Sequence, residues 1–307
     1  IRHTTRNFES REGSRPADGQ IASVALMDSR SIAATAVNGG ILTSASDMEY
    51  DENIPEFNFD RVIYEKRVYN GYNLKDDTHE LRYAPSIVDW PEIPLLADNL
   101  ILKVIAVIND PVTTTDELIP SGETSSYRSN PMKLAEFTLS RKVPEYVERA
   151  KAVSKDNKER KKGNMPEEYT NAVRLSYGSL KGSVLIGSTI FANKPGDGSA
   201  REQAASCQRV LGASANIARE YATKRYRSNL INWGMLPFIS DNQEFELNDI
   251  IVIPELRAII KENKNEILAR LVRNGESYDI ILKTDNLTEE EKAIILSGCL
   301  INYYRQK

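Results

Sequence analysis

Apolar residues cluster along the chain in short blocks separated by polar stretches. Residues 101–108 (ILKVIAVI) form a nearly continuous apolar run rich in β-branched side chains. Together with 183–192 (SVLIGSTIFA) and 209–217 (RVLGASANI), this predicts a set of strands buried on both faces. Helical composition fills the intervals. Pro144 to about Lys161 opens with proline in the first turn, and Glu202–Leu211 (EQAASCQRVL) begins directly after a glycine-rich loop. Asp28–Val37 (DSRSIAATAV) has an N-cap residue at its start, and Asn38-Gly39-Gly40 follows as a stop. Two more helices are expected at about 254–274 and 288–305, with a strand near 280–283 (IILK). Strands alternating with helices predict an α/β fold.

The polar blocks set the organisation. Residues 1–20 read as a loop. Residues 45 to about 90 are rich in Ser, Asp, Glu, Asn and Tyr and punctuated by prolines, the pattern of an interdomain connection. Three segments follow: 1–50, a connector at 51–90, and a main domain at 91–307. A length of 307 residues suits one large domain or two ordinary ones.

Composition narrows the function by exclusion. Hydrophobic residues make up 40% of the chain, enough for a sizeable core. The net charge of −4 argues against a nucleic-acid binder, which needs a basic field to neutralise phosphates. The most basic run, Lys155–Lys162, is interrupted by Asp156 and Glu159 and reads as a solvated helix end. Cys207 and Cys299, the only cysteines, cannot by themselves ligate a metal cluster, and they suit a reducing cytoplasm. Both read more simply as small buried hydrophobes. No apolar run approaches the ~20 residues that span a bilayer. The chain lacks a starting methionine and opens as a fragment would. With only His3 and His79 present, acid–base chemistry falls to carboxylates, serine, lysine or tyrosine.

Three polar segments could carry chemistry. Pro195–Glu202 (PGDGSARE) lies between an apolar strand and a helix, where free N–H groups and the helix dipole suit an anion. Ser199 could be activated there, and Arg201 adds a fixed cation with parallel donors. Val112–Gly122 (VTTTDELIPSG) follows a strand and contains Asp116, with Arg128 twelve residues further on. Arg6-Asn7-Phe8-Glu9-Ser10-Arg11 could clamp carboxylates between two arginines. Each segment taken singly reads first as an ordinary turn or a surface charge.

In combination the three resemble the aconitase and isopropylmalate isomerase family. TRNFESR resembles its NRNF-x-GR segment, TTDEL its TTDHIS, GDGSARE its GxGSSRE, and SNLINWGMLPF its SNL…G.LPL signature. The likeness spans most of residues 1–45 and about 100–240. It implies a β/β/α-type swivelling domain with a mixed sheet and helices over 91–307, preceded by a remnant of an α/β/α domain at 1–50. It implies a hydro-lyase acting on a hydroxy di- or tricarboxylic acid. Ser199 would be the base, Asp116 part of the catalytic polar shell, and Arg6, Arg11, Arg128 and Arg201 the carboxylate binders. A [4Fe–4S] cluster would sit on N-terminal domains of the same polypeptide, leaving this chain inactive alone. Three positions depart from the family pattern: Ala200 for the second serine, Glu117 for histidine, and Gln203 for a following histidine. The second expectation is an aconitase scaffold that has lost catalysis and binds carboxylates or RNA as a regulator.

Overall fold

The computed structural model describes residues 27–49, 56–67, 82–122 and 124–307, with 73, 78, 80 and the backbone of 2–3 and 23–24. They fall into two compact units, divided between Arg82 and Tyr83.

In the first unit, strand β1 (Arg2–His3) pairs antiparallel with β2 (Ser23–Val24). Helix α1 (Ser29–Val37) is closed at its N-terminus by the Asp28 carboxylate, which accepts from the backbone of Arg30 and Ser31. Asn38 ends it, as the sequence predicts. A single 3-10 turn and the short helix α2 (Val62–Arg67) are the remaining described elements.

The second unit opens with β3 (Asn99–Ile108), β4 (Thr113–Thr114), α3 (Thr115–Leu118) and α4 (Pro131–Ala135). Helices α5 (Tyr146–Lys161) and α6 (Glu167–Tyr177) lead to β5 (Val184–Ala192) and β6 (Pro195–Asp197). Then come α7 (Arg201–Val210), β7 (Ala213–Ala218), α8 (Lys224–Asn232), β8 (Leu236–Ile239), β9 (Ile250–Ile253) and α9 (Leu256–Lys261). The chain finishes with the hairpin β10 (Glu266–Arg273) and β11 (Glu276–Lys283), then α10 (Glu289–Leu296) and α11 (Leu300–Arg305).

The fold is mixed α/β, and its sheet closes into a barrel in the order β10-β11-β8-β7-β5-β3-β9. Strands β3, β5, β7 and β8 run parallel to one another, whereas β9, β10 and β11 close the barrel through antiparallel pairings, β9 on β3 and β11 on β8. Leu100, Leu102 and Val104 of β3 join one core cluster with Phe238, Ile251 and Ile267 of the other strands. Ile101 and Ile105 join a second cluster with Tyr146 and Val153 of α5 and Tyr169 of α6. Because both faces of β3 and β5 meet apolar partners, their sequences are apolar without alternation.

Two expectations need correction. The strand placed at 209–217 starts only at Ala213. Arg209 and Val210 close α7, and Gly212 at φ +103° turns the chain between helix and strand. The helix placed at 254–274 is six residues long, and Glu266–Arg273 is a strand. Ile267, Ala269 and Leu271 alternate into the barrel core, a period of two. Asn274-Gly275, both at positive φ, forms the two-residue connection of a hairpin. The helix expected over 288–305 is present as two pieces, with Ser297–Cys299 between them.

Candidate functional site

Two of the polar segments lie side by side. β4 pairs in parallel with β6, Thr113 opposite Pro195 and Thr114 opposite Asp197, in a small ribbon separate from the barrel. This places the TTDEL turn against the GDGSA loop although they are some eighty residues apart in sequence. The Ala200 N–H donates to Thr115 Oγ1 at 3.3 Å, tying the loop to α3 directly.

The loop has little space. A Cβ on Gly198 (φ +142°) would lie 2.0 Å from Thr115 Oγ1, and one on Gly196 (φ +98°) 2.3 Å from the Tyr226 ring. Tyr226 is fully buried, and its hydroxyl accepts from Gln208 Nε2 and Asn216 Nδ2 at 3.0 and 2.8 Å. Burial raises its pKa well above the ordinary range, so it braces the loop as a neutral phenol. Thr223 Oγ1 donates to the Gly196 carbonyl at 3.2 Å from the N-cap of α8.

Ser199 is exposed on this loop, and among the described residues its hydroxyl has no hydrogen-bond partner. It does not cap the following helix. Ala200 is the N-cap of α7 and supplies no side-chain hydrogen bond. The departure from serine at 200 therefore leaves the first N–H groups of α7 without a side-chain acceptor from the cap. Arg201 is the first residue of that helix.

Asp116 sits in α3 with its carboxylate 3.1 Å from Arg141 Nη1, both side chains half-exposed. Glu117 folds back onto the start of its own turn. Its Oε2 accepts from Thr114 N at 2.7 Å and Thr114 Oγ1 at 2.9 Å, and its own N–H returns to Thr114 Oγ1 at 3.1 Å. This is a reciprocal capping box, which a histidine at 117 could not form in the same way. Lys142 bridges Asp110 (2.9 Å) and Glu117 (3.3 Å), and its pKa is raised, first by the Asp110 carboxylate. Arg141, Lys142 and Tyr226 escaped the sequence reading; no spacing singled them out.

Arg128 follows a 3-10 turn at 125–127 and is exposed, in the connection that leads into α4, which packs against α7. Arg6 and Arg11 lie outside the described residues. Cys207 and Cys299 are both free and buried, and burial pushes the Cys207 thiol up to about 12. Among the described residues no group of three or more His, Cys, Asp or Glu side chains could hold a metal ion. No described helix is long and apolar enough to cross a membrane.

Residues 148–244 match the family model for the aconitase C-terminal domain, a span that includes the GDGSA loop but not the TTDEL turn. The chain is 30% identical over 128 residues to the methanogen homoaconitase small subunit of Methanocaldococcus jannaschii. It is 31% identical over 128 residues to the 3-isopropylmalate dehydratase small subunit of Lachnospira eligens. These alignments cover 41% of this chain, and 64% and 69% of the respective relatives. A crystal structure of 3-isopropylmalate dehydratase from M. jannaschii superimposes with a TM-score of 0.39 at 20% identity, covering 67% of this chain and 94% of that one.

Proposed function

The chain belongs to the aconitase family, and we propose that it is the serine-bearing swivelling part of a hydro-lyase acting on a hydroxy di- or tricarboxylic acid. The observation that carries this is the β4–β6 ribbon, which sets the GDGSA loop against the TTDEL turn. Residues 91–307 would form the swivelling domain, with 51–90 as connector and 1–50 as the end of the preceding domain. The names of the relatives, both small subunits, support a separate large-subunit partner, which would carry the cluster; N-terminal domains of the same polypeptide are the other arrangement. A reducing, cytoplasmic location suits the two free cysteines.

The described residues do not fit a [4Fe–4S] cluster. They offer no group of three ligands, and both thiols are buried. Such a cluster would be held by the partner, and this chain's contribution is made by its own side chains and backbone. Ser199 takes the proton from the carbon next to the hydroxyl-bearing carbon. Serine is a weak base at its ordinary pKa, so its alkoxide needs concentrated positive potential. The N-terminus of α7 and the Arg201 guanidinium supply it. Arg128 and Arg201 bind substrate carboxylates, joined by Arg6 and Arg11. Asp116, held by Arg141, completes the polar wall beside the loop.

The test is dehydration of hydroxy acids by the chain assembled with its cluster-bearing partner, wild type beside Ser199→Ala. The variant should lose about 100-fold or more in kcat with substrate affinity retained. Arg201→Lys should raise KM, because an ammonium cannot reproduce the paired donors of a guanidinium. Equal turnover in Ser199→Ala and wild type would remove the serine from the chemistry.

A further inference from the structure

A cavity of about 400 Å³ opens at the other end of α7 from Ser199, between α5 and the segment around Pro94. Ten residues of α7 at about 1.5 Å each put on the order of 15 Å between the two places. The cavity's base is apolar, with Ile93, Leu185 and Leu211, and its volume lies within the range of small-molecule sites.

Its charged groups are mostly of one sign. Lys151, Lys158 and Lys161 line it from α5, at spacings of seven and three residues that place them on one face of that helix. Lys151 pairs with Glu136 at 2.6 Å, but among the described residues neither Lys158 nor Lys161 forms an ion pair. Glu92 is the one acidic residue in the lining.

Arg209, 7% exposed, also lines the cavity. Nη1 donates to the Ala213 carbonyl at 2.9 Å and to Ser214 Oγ at 3.3 Å. Nη2 reaches the carbonyls of Pro94 and Gly298 at 3.5 and 3.4 Å, and Nε has no partner. All these acceptors are neutral. A buried guanidinium without a carboxylate is costly to desolvate, and an anion beside it would offset that cost. Stapling carbonyls together accounts for the bonds of Arg209 but not for the lysines gathered around the same cavity.

We propose that this cavity binds a small organic anion, an apolar body carrying one phosphate or carboxylate head. The apolar base takes the body, and Arg209 with Lys158 and Lys161 takes the head. The site is independent of the hydro-lyase reading and can be tested without the partner.

The experiment titrates the full chain with phenyl phosphate and, separately, with phenylacetate, following NMR shifts to saturation. At least one probe should bind with a Kd of about 1 mM or tighter, and the tighter of the two identifies the head group. Lys158→Glu with Lys161→Glu should weaken binding at least tenfold while leaving the melting temperature unchanged, since both side chains are exposed. Lys155→Glu with Lys162→Glu changes the charge equally, on the same helix and at its C-cap but outside the cavity lining, and should leave binding intact. Failure of both probes to saturate, equal loss in the two double variants, or loss in neither would each overturn the proposal.

Discussion

Gly196 and Gly198 occupy backbone conformations that side chains rarely adopt, with a tyrosine ring and a threonine hydroxyl where their Cβ atoms would go. Gly196→Ala must either displace the buried Tyr226 or break β6 from β4. It should cost about 2 kcal/mol or more, measured by urea denaturation. Thr115→Ala, which removes the acceptor for Ala200 N–H together with a buried methyl group, should cost about 2 kcal/mol by the same measurement. Asp98 shows the acid side of stability. Its carboxylate accepts from Ser183 Oγ at 2.7 Å and Ser183 N at 2.8 Å, and these bonds, the hydroxyl's first, lower its pKa below 3.8. The stabilisation is therefore fully present above the unfolded value of 3.8 and lost as pH falls through the lower folded value. Asp98→Asn should flatten the fall of melting temperature with acid below pH 3.8, and an unchanged curve would count against this bond. Single residues are also where the sequence was most legible. Asp28 as a cap and Ser199 between strand and helix follow from neighbours a few positions away. The Arg141–Asp116 and Thr115–Ala200 contacts do not, because their partners meet only after 25 and 85 residues of chain have folded.

At the scale of elements, the four-residue helix α3 depends on its cap. Four residues cannot propagate helix on their own, so the Thr114–Glu117 box fixes the direction of the turn. Glu117→Ala should lower stability by about 1 kcal/mol, read as a shift in the denaturation midpoint, and Glu117→Gln should retain most of it. The strands β3 and β5 were legible because burial on both faces leaves an unmistakable apolar run. The hairpin β10–β11 was not. Its strands alternate, and Leu268 and Ile281, paired across the hairpin, are both exposed and apolar, which blurs the period. Asn274-Gly275 was the local signal that identifies it. The short strands β8 and β9 and helix α6 also went unread, since each is defined by the barrel or the helical layer it completes.

For the molecule as a whole, closure of the barrel brings Asp249, before β9, to Arg273 at the end of β10. Arg273 Nε and Nη2 meet the two carboxylate oxygens at 2.8 and 2.7 Å, and Asp249 is 2% exposed. Asp249→Ala removes both bonds and frees the Glu246 N–H, leaving Arg273 with Glu246 at 2.7 Å and the Glu244 carbonyl at 3.0 Å, so it should cost about 2 kcal/mol in chemical denaturation. Arg270→Ala, which removes a solvent-facing pair with Asp279, should cost less than about 1 kcal/mol. The Ser199 loop follows barrel strand β5 and the β4–β6 ribbon, and its glycines are wedged against Thr115 and Tyr226, which leaves it little play of its own. If the proposed swivelling role holds, a serine carried this rigidly would reach a substrate held on another body only when the whole barrel travels with it. The tempo of turnover would then belong to that journey. Rates should fall as the solvent is thickened with sucrose, and deuterium on the carbon that gives up its proton should slow them little.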